Sequence, residues 1–293
     1  MIVDLLDEVA RKISDTPVVD RPFAHIIIEG LLPTDIYDEI LAALPPSSEM
    51  EKVDYPGTGF GGHGAGYRDY GYVYRELATS KSALRLVHET FASPGFSRAL
   101  LDKFSAPRPD GSTPIPADKH RLFTDADDFS TVFDLQVDLP GYAIAPHPDV
   151  RSKIVTFQLY LTADAKLAEY GTLLCEPKDS RAARGRRPSV KIAARAVDRL
   201  PRDSALYRRI MRSDLGLALG VGDTANWLPW SWFEVVRVAS ALPNHFLAFA
   251  PNSRSYHAVK MAIPDGAEVR ERPVVRGFIR AGKDTSNWIA SHH

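Results

Sequence analysis

The sequence predicts an α+β fold in which helices come first and strands follow. The first residues, 1–14, carry apolar side chains at helical spacing: Ile2, Leu5, Leu6, Val9 and Ile13. From about Thr131 the chain changes to short runs rich in β-branched and aromatic residues, which Pro and Gly interrupt. Periodicity and composition alone therefore predict N-terminal supporting helices and an all-β second half.

Further helices are predicted before residue 105. Thr34 is a suitable N-cap for a helix over residues 35–44, because acidic residues lie in its first turn and prolines follow it. Residues 80–104 have the spacing of one or two more helices. The segment 59–64 has the G-x-G-x-x-G spacing of a dinucleotide loop, but it neither follows an apolar strand nor opens a helix. We therefore predict a loop there, followed by an aromatic stretch, 67–74, that suits either a lid or a hairpin packed on the core.

The most informative motif follows the first predicted strand and a Gly-containing turn. His147 and Asp149 are two residues apart, so on an extended chain both side chains point the same way and can reach one metal ion. About one His-x-acid triplet is expected by chance in this composition, so the motif needs its context. That context includes His257, a histidine in strand-like sequence downstream. The alternatives are an exposed loop histidine at 147 and a core histidine at 257.

Two imidazoles and one carboxylate on one face of an octahedral metal leave half of its positions open, which suits non-haem Fe(II) and O2. An arginine-bearing strand, 272–280, comes after these residues. A guanidinium binds a carboxylate through two parallel hydrogen bonds, so such an arginine suits a dicarboxylate cosubstrate; an ordinary solvated charge is the alternative. This order of parts predicts an oxygenase that uses Fe(II) and 2-oxoglutarate.

These residues resemble the prolyl-hydroxylase-like branch of the Fe(II)/2-oxoglutarate-dependent dioxygenases. The likeness covers roughly residues 129–282, without the stretch between Pro177 and Trp232, and includes the entry segment 22–33. It implies a double-stranded β-helix, or jelly roll, in which two packed antiparallel sheets hold the metal between them. It also implies that the iron ligands are His147, Asp149 and His257.

The resemblance also implies how 2-oxoglutarate is bound. Tyr160, in a Tyr-Leu-Thr run, matches a family tyrosine that donates a hydrogen bond to the distal carboxylate. The family's last strand reads Arg-x-Ser-Leu-x-Gly-Trp-Phe-Arg, which Arg272 opens here, with Val274 in place of the usual serine. Arg276 lies four residues on, on the same face of the strand, and is the alternative anchor. The sequence favours Arg272.

A basic segment interrupts the jelly-roll part of the sequence. Residues 178–212 hold 12 Lys or Arg against 3 Asp, a net charge of +9 against −10 for the rest of the chain. We predict a basic helical insertion over 178–230, with helix over 193–219. Its charge favours an anionic or carrier-bound substrate, whereas a solvated hairpin that contacts the protein's own acidic surface or an oligomer mate is the alternative. No nucleic-acid module is recognisable, so nucleic acid is not expected as a partner.

Length and composition fit one domain over residues 1–293. Its parts are a mainly helical support and lid (1–128), a jelly-roll core (129–282) and the insertion. No apolar run of about 18 residues is present, so no membrane span is expected. The start lacks a signal-peptide pattern, and the single cysteine, Cys175, excludes an intramolecular disulfide, so a reducing cytoplasm is expected. Formation of a homo-oligomer is left open.

The expected reaction is hydroxylation of an unactivated C–H bond in a small amino-acid-like or natural-product substrate, with release of succinate and CO2. Desaturation and ring formation share the same chemistry and are left open, as is the substrate. The alternatives are a protein side-chain hydroxylase of the prolyl type and a non-catalytic, cupin-like metal-binding protein. Cupins need no arginine or tyrosine for a dicarboxylate, so this last alternative is distinguished by 2-oxoglutarate binding.

Overall fold

The computed structural model covers the chain with several gaps. It describes residues 2–52, 71–80, 82–108, 111–115, 129–140, 142–149, 152–179, 196–197, 199–201, 204–211, 213–219, 227–261 and 271–281. The predicted glycine-rich loop and most of the basic part of the insertion lie outside these residues. Of the aromatic stretch 67–74, the last four residues are described, and they form a strand.

Four helices precede the main strands, as the apolar spacing predicts. They are α1 (Ile2–Asp15), α2 (Thr34–Ala42), α3 (Leu84–Phe91) and α4 (Pro94–Ser105). Helix α4 begins as its sequence dictates, because the Ser93 hydroxyl accepts a hydrogen bond from the Phe96 N–H and Pro94 occupies the first helical position. Helix α2 differs slightly from the prediction: Pro33 is its N-cap and Thr34 its first residue, and no side chain caps it.

Eleven strands in the described residues form two antiparallel sheets. Their bounds are β1 (His25–Glu29), β2 (Glu51–Lys52), β3 (Gly71–Tyr74), β4 (Phe129–Asp138), β5 (Ala143–His147), β6 (Lys153–Tyr160), β7 (Thr172–Pro177), β8 (Phe233–Ala239), β9 (His245–Phe249), β10 (His257–Lys260) and β11 (Arg272–Ala281). The larger sheet has the order β1-β9-β6-β11-β4-β3-β2, and the smaller has the order β5-β10-β7-β8.

Over its last eight strands, β4 to β11, the chain crosses repeatedly between the two sheets. Strands β4, β6, β9 and β11 pair within the larger sheet, whereas β5, β7, β8 and β10 pair within the smaller one. First and last strands of this set, β4 and β11, are neighbours along their whole length. Such crossing of antiparallel strands between two facing sheets is the jelly-roll arrangement. The predicted fold class, α+β with a jelly-roll core and N-terminal supporting helices, is confirmed.

The helices cover one face of the larger sheet and leave its other face to the interior between the sheets. On β6, Phe157 and Leu159 belong to the main apolar core, where Phe157 stacks on Phe91 of α3 with 5.4 Å between ring centroids. The alternate residues Thr156 and Gln158 are polar, yet they are buried. Because side chains alternate along a strand, this pattern assigns an apolar face to the helices and a polar face to the interior.

The described end of the insertion supports the smaller sheet. It forms two short helices, α5 (Ala205–Met211) and α6 (Asp214–Leu219), in place of the one helix predicted over 193–219. Leu217 and Trp227 pack on Ala145 of β5, and the Leu228 N–H donates a 2.8 Å hydrogen bond to the Pro146 carbonyl. Strand β5 is the edge of its sheet, so this segment pairs and covers an edge that otherwise carries unpaired backbone groups. Within the described residues, no helix has the length and apolarity needed to cross a membrane.

Gly171, just before β7, lies in close contact with the backbone at the end of β8. A Cβ at this position would lie 1.9 Å from the Ala239 carbonyl oxygen and 2.9 Å from the Ala241 amide nitrogen. We expect Gly171→Ala to lower the free energy of unfolding by about 1–3 kcal/mol, because backbone atoms must move to admit the methyl group. Gly95→Ala in α4 is the control: its Cβ would meet nothing nearer than 4.0 Å, so it should leave stability unchanged or raise it. Urea denaturation measures both, and equal midpoints would contradict the close approach.

Candidate metal centre and cavity

Strand pairing brings the three predicted metal ligands together. His147 ends β5, Asp149 follows two residues later, and His257 opens β10 directly opposite His147 in the antiparallel pair. One ligand atom from each residue lies within 4.8 Å of the others, and the two imidazole centroids are 4.4 Å apart. Among the residues that the structure describes, this is the one group of three such side chains close enough to share an ion.

In both histidines Nδ1 is hydrogen-bonded to the backbone carbonyl of the residue two positions earlier. His147 Nδ1 is 2.9 Å from the Ala145 carbonyl oxygen, and His257 Nδ1 is 3.1 Å from that of Ser255. A neutral imidazole that donates its Nδ1–H to a carbonyl keeps its lone pair on Nε2. His257 Nε2 lies 3.9 Å from Asp149 Oδ2, so the free nitrogen is on the side of the carboxylate.

The protonation states also fit a metal. Burial, with a further contribution from His257, lowers the pKa of His147 to about 3. Burial likewise lowers the pKa of His257. Burial acts to raise the pKa of Asp149, but Lys153 and the two histidines outweigh it and hold that pKa below its ordinary value. Neutral imidazoles and an ionised carboxylate are the forms that bind a cation, so the three residues fit a divalent metal such as Fe(II).

Two side chains of β6 hold the carboxylate of Asp149. Lys153 Nζ donates to Oδ1 and the Thr156 hydroxyl donates to Oδ2, each at 2.6 Å. The Lys153 ammonium also lies 4.8 Å from the centre of the Phe278 ring. Outer partners of this kind orient a metal ligand. The sequence analysis missed both residues; the available signal was that Lys153 lies four residues after Asp149 in the sequence.

A cavity of about 140 Å³ adjoins the three ligands. An apolar cavity of roughly 150 Å³ holds a benzene molecule, so this space suits a small organic group. Its walls combine the candidate metal ligands with apolar residues of both sheets: Val73, Val132, Phe133, Phe157 and Phe278 of the larger sheet and Ile144 of the smaller one. Polar groups on the same walls include Lys153, Gln158 and Arg276. The space therefore joins a metal-ligand set to both apolar and charged surface.

Arg276 brings a guanidinium to the far wall of the cavity. Its Nη1 donates to Gln136 Oε1 at 2.8 Å, to Asp138 Oδ1 at 2.9 Å and to the Tyr142 hydroxyl at 3.1 Å. Its Nη2 donates to Asp138 Oδ2. Burial acts to lower the pKa of this guanidinium, but the Asp138 carboxylate and Tyr142 outweigh it and raise the pKa, so Arg276 stays charged.

The structure places the other two sequence-predicted residues, Arg272 and Tyr160, away from the described cavity wall. Arg272 is fully buried: Nε and Nη2 donate to Asp138 Oδ2 at 3.0 and 2.5 Å, and Nη1 donates to the Tyr170 carbonyl. Tyr160 donates to Gln158 Oε1 at 3.1 Å and accepts from the Thr172 N–H at 2.9 Å. Since Gln158 lines the cavity, Tyr160 contacts a cavity residue without lining the cavity itself. The sequence preference for Arg272 over Arg276 thus differs from the geometry.

Comparisons with known proteins add three solved structures. A prolyl-4-hydroxylase from Pseudomonas putida is 13% identical over 96% of this chain and 99% of its own, with a TM-score of 0.42. The α-ketoglutarate-dependent non-haem epimerase SnoN of nogalamycin biosynthesis is 12% identical over 94% of this chain and 83% of its own, with a TM-score of 0.42. The Fe(II)/α-ketoglutarate-dependent dioxygenase TqaL is 10% identical over 97% of this chain and 90% of its own, also at 0.42.

No protein-family model and no curated protein sequence matches the chain. We base the functional proposal on the site itself.

Removing one of the three ligands tests the metal centre. We expect His257→Ala to weaken Mn(II) binding by more than about 100-fold, because loss of an outer partner alone typically costs 10- to 100-fold. His245→Ala is the matched control, since His245 lies on β9 outside the group. Isothermal titration of the metal-free proteins measures both. Unchanged Mn(II) affinity in His257→Ala would show that the ion binds elsewhere.

Proposed function

We propose that this protein is an Fe(II)- and 2-oxoglutarate-dependent oxygenase that hydroxylates an unactivated C–H bond of a small amino-acid-like or natural-product substrate. The observation that carries the proposal is the position of a His-Asp-His group and the partly buried guanidinium of Arg276 on the walls of one small cavity. A metal-ligand set of this kind without such an arginine would serve a metal-binding protein as well. With the arginine, the cavity presents partners for both ends of a dicarboxylate.

Each described wall of the cavity has a separate task in this proposal. The Nε2 atoms of His147 and His257 and the carboxylate of Asp149 would hold the iron. When bound, Fe(II) with 2-oxoglutarate and O2 supplies the oxidant for C–H hydroxylation, with release of succinate and CO2. Lys153 and Thr156 fix the Asp149 carboxylate, and apolar residues such as Val132 and Phe278 exclude water from the reacting groups.

For the far carboxylate of 2-oxoglutarate we propose Arg276 as the partner. It lies on the cavity wall, whereas Arg272 is fully buried outside that wall and donates to Asp138 and the Tyr170 carbonyl. Tyr160 would act through Gln158, whose amide oxygen it holds and which faces the cavity. A dicarboxylate tail in a dry pocket needs such a fixed positive partner, because an unpaired ionised carboxylate is costly there.

The size of the cavity favours a small substrate. A space of about 140 Å³ beside the ligands holds little more than one small organic molecule, and the cosubstrate would occupy part of it. The substrate would then reach the metal by one small group at the cavity mouth. Succinate formation from 2-oxoglutarate, measured by mass spectrometry across a library of amino-acid-like compounds and proline-containing peptides, tests the reaction and separates the two substrate classes.

Substitution of Arg276 tests the cosubstrate site. Losing a charge-assisted contact costs about 1.5–3 kcal/mol, so Arg276→Gln should raise the Kd of the Mn(II)-loaded protein for N-oxalylglycine, an inert analogue of 2-oxoglutarate, by roughly 10- to 150-fold. Arg280→Gln is the control, because Arg280 lies on the same strand and the same face, four residues on. Thermal shift or calorimetric titration measures the affinities. Equal affinities in the two variants would remove Arg276 from the site.

A further inference from the structure

The carboxylate of Asp138 accepts hydrogen bonds from both Arg272 and Arg276 of β11. Asp138 ends β4, lies directly opposite Arg272 in β11, and is 2% exposed. Its Oδ2 accepts hydrogen bonds from Nε and Nη2 of Arg272 and from Nη2 of Arg276. Its Oδ1 accepts one from Nη1 of Arg276 at 2.9 Å. One buried carboxylate therefore bridges two guanidinium groups.

The edge of Arg276 that Asp138 occupies is the edge that a ligand carboxylate needs. Nη1 and Nη2 each donate to a different oxygen of Asp138, which is the two-pronged geometry of an arginine–carboxylate pair. An incoming carboxylate that is bound in the same way must take the place of this one. Arg272 makes the exchange feasible, because its Nε and Nη2 hold Asp138 Oδ2 whether or not Arg276 does.

The net charge of the cluster formed by Arg272, Arg276 and Asp138 also favours binding of a ligand carboxylate. Arg272, Arg276 and Asp138 are all buried or nearly so and together carry a net charge of +1. An uncompensated charge in a dry interior is unfavourable, and one ligand carboxylate beside Arg276 would neutralise it. If the ligand displaces Asp138 from Arg276, the result is two separate ion pairs, Arg272 with Asp138 and Arg276 with the ligand, in which every charged group keeps a partner.

We propose that Asp138 is an internal competitor for the cosubstrate: it fills the carboxylate-binding edge of Arg276 and moves entirely to Arg272 when a dicarboxylate binds. The inference rests on the proposed function, since it concerns the same carboxylate site. Asp138 is thus a positioning residue that sets cosubstrate affinity. Arg272 contributes by holding the displaced carboxylate, so Arg272→Gln alone weakens binding even though Arg272 does not contact the ligand.

The deciding variant replaces Asp138 and Arg272 together, Asp138→Asn with Arg272→Gln. This change removes one negative and one positive charge, so the net charge of the cluster stays at +1 while the edge of Arg276 becomes free. We expect the Kd of the Mn(II)-loaded protein for N-oxalylglycine, measured by calorimetry, to fall by roughly tenfold or more, because the ligand no longer displaces a charge-assisted pair. Structural damage alone would raise Kd, so tighter binding identifies competition.

Asp134→Asn is the control for simple loss of negative charge. Asp134 lies opposite Arg276 in the β4–β11 pair and lines the same cavity, and its Oδ1 lies 3.8 Å from Nη1 of Arg75. An equal gain in affinity in Asp134→Asn would overturn the competition. Unchanged or weaker binding in the double variant would also overturn it, and a complete loss would identify Arg272 as the anchor while leaving the proposed function in place.

A measurement on the unaltered protein keeps the test independent of how the variants fold. In side-chain NMR spectra of 15N-arginine-labelled protein loaded with Zn(II), N-oxalylglycine should shift the guanidinium signals of Arg276 far more than those of Arg272. Larger shifts at Arg272 would contradict the exchange. If the unaltered protein binds no N-oxalylglycine at any concentration, the proposed function itself fails, and this inference fails with it.

Discussion

The candidate site depends on one antiparallel strand pair, β5 with β10. Backbone hydrogen bonds between them place His257 opposite His147, although the two residues are far apart in sequence. The smaller sheet ends at β5. In the part of the chain that the structure describes, this strand pairs with β10 on one side and contacts the returning insertion on the other. Without this pairing the two imidazoles and the carboxylate would be hydrated separately, because burial of unpaired polar groups is unfavourable.

A second constraint is the alternation of side chains along β6 and β11. In each strand one face joins the apolar core beneath the helices, as Leu159 and Val275 do, and the other supplies cavity residues such as Gln158 and Arg276. A slip of one residue in either strand would exchange the two faces, so the apolar packing of the helices also sets the register of the polar site. Gly277 belongs to the same arrangement, because a Cβ there would lie 2.4 Å from the Phe157 ring.

The buried charges follow from this register. Asp138 and Arg272 face each other across the β4–β11 pair. Arg276, four residues further along β11, contacts the same carboxylate. Charge-assisted hydrogen bonds offset the cost of removing three ionised groups from water. The Asp149–Lys153 pair, at 2.6 Å, repeats the pattern beside the two candidate histidine ligands. Both pairs hold a functional group in place by giving it a buried partner of opposite charge.

Local sequence determined the features that need only neighbours along the chain. Apolar spacing identified the N-terminal helices, and β-branched runs identified the all-β second half. The two-residue separation of His147 and Asp149 placed both on one side of an extended chain, with His257 as the third candidate.

The tertiary structure decided the contacts that join distant segments. Arg272 and Arg276 lie on the same face of β11, so no local pattern separates them. The tertiary structure does, because it places Arg276 on the cavity wall and buries Arg272 completely. Asp138 escaped the sequence analysis for the same reason: its role exists only once β4 and β11 pair, and register between strands is set by packing across the sheets rather than by any one segment.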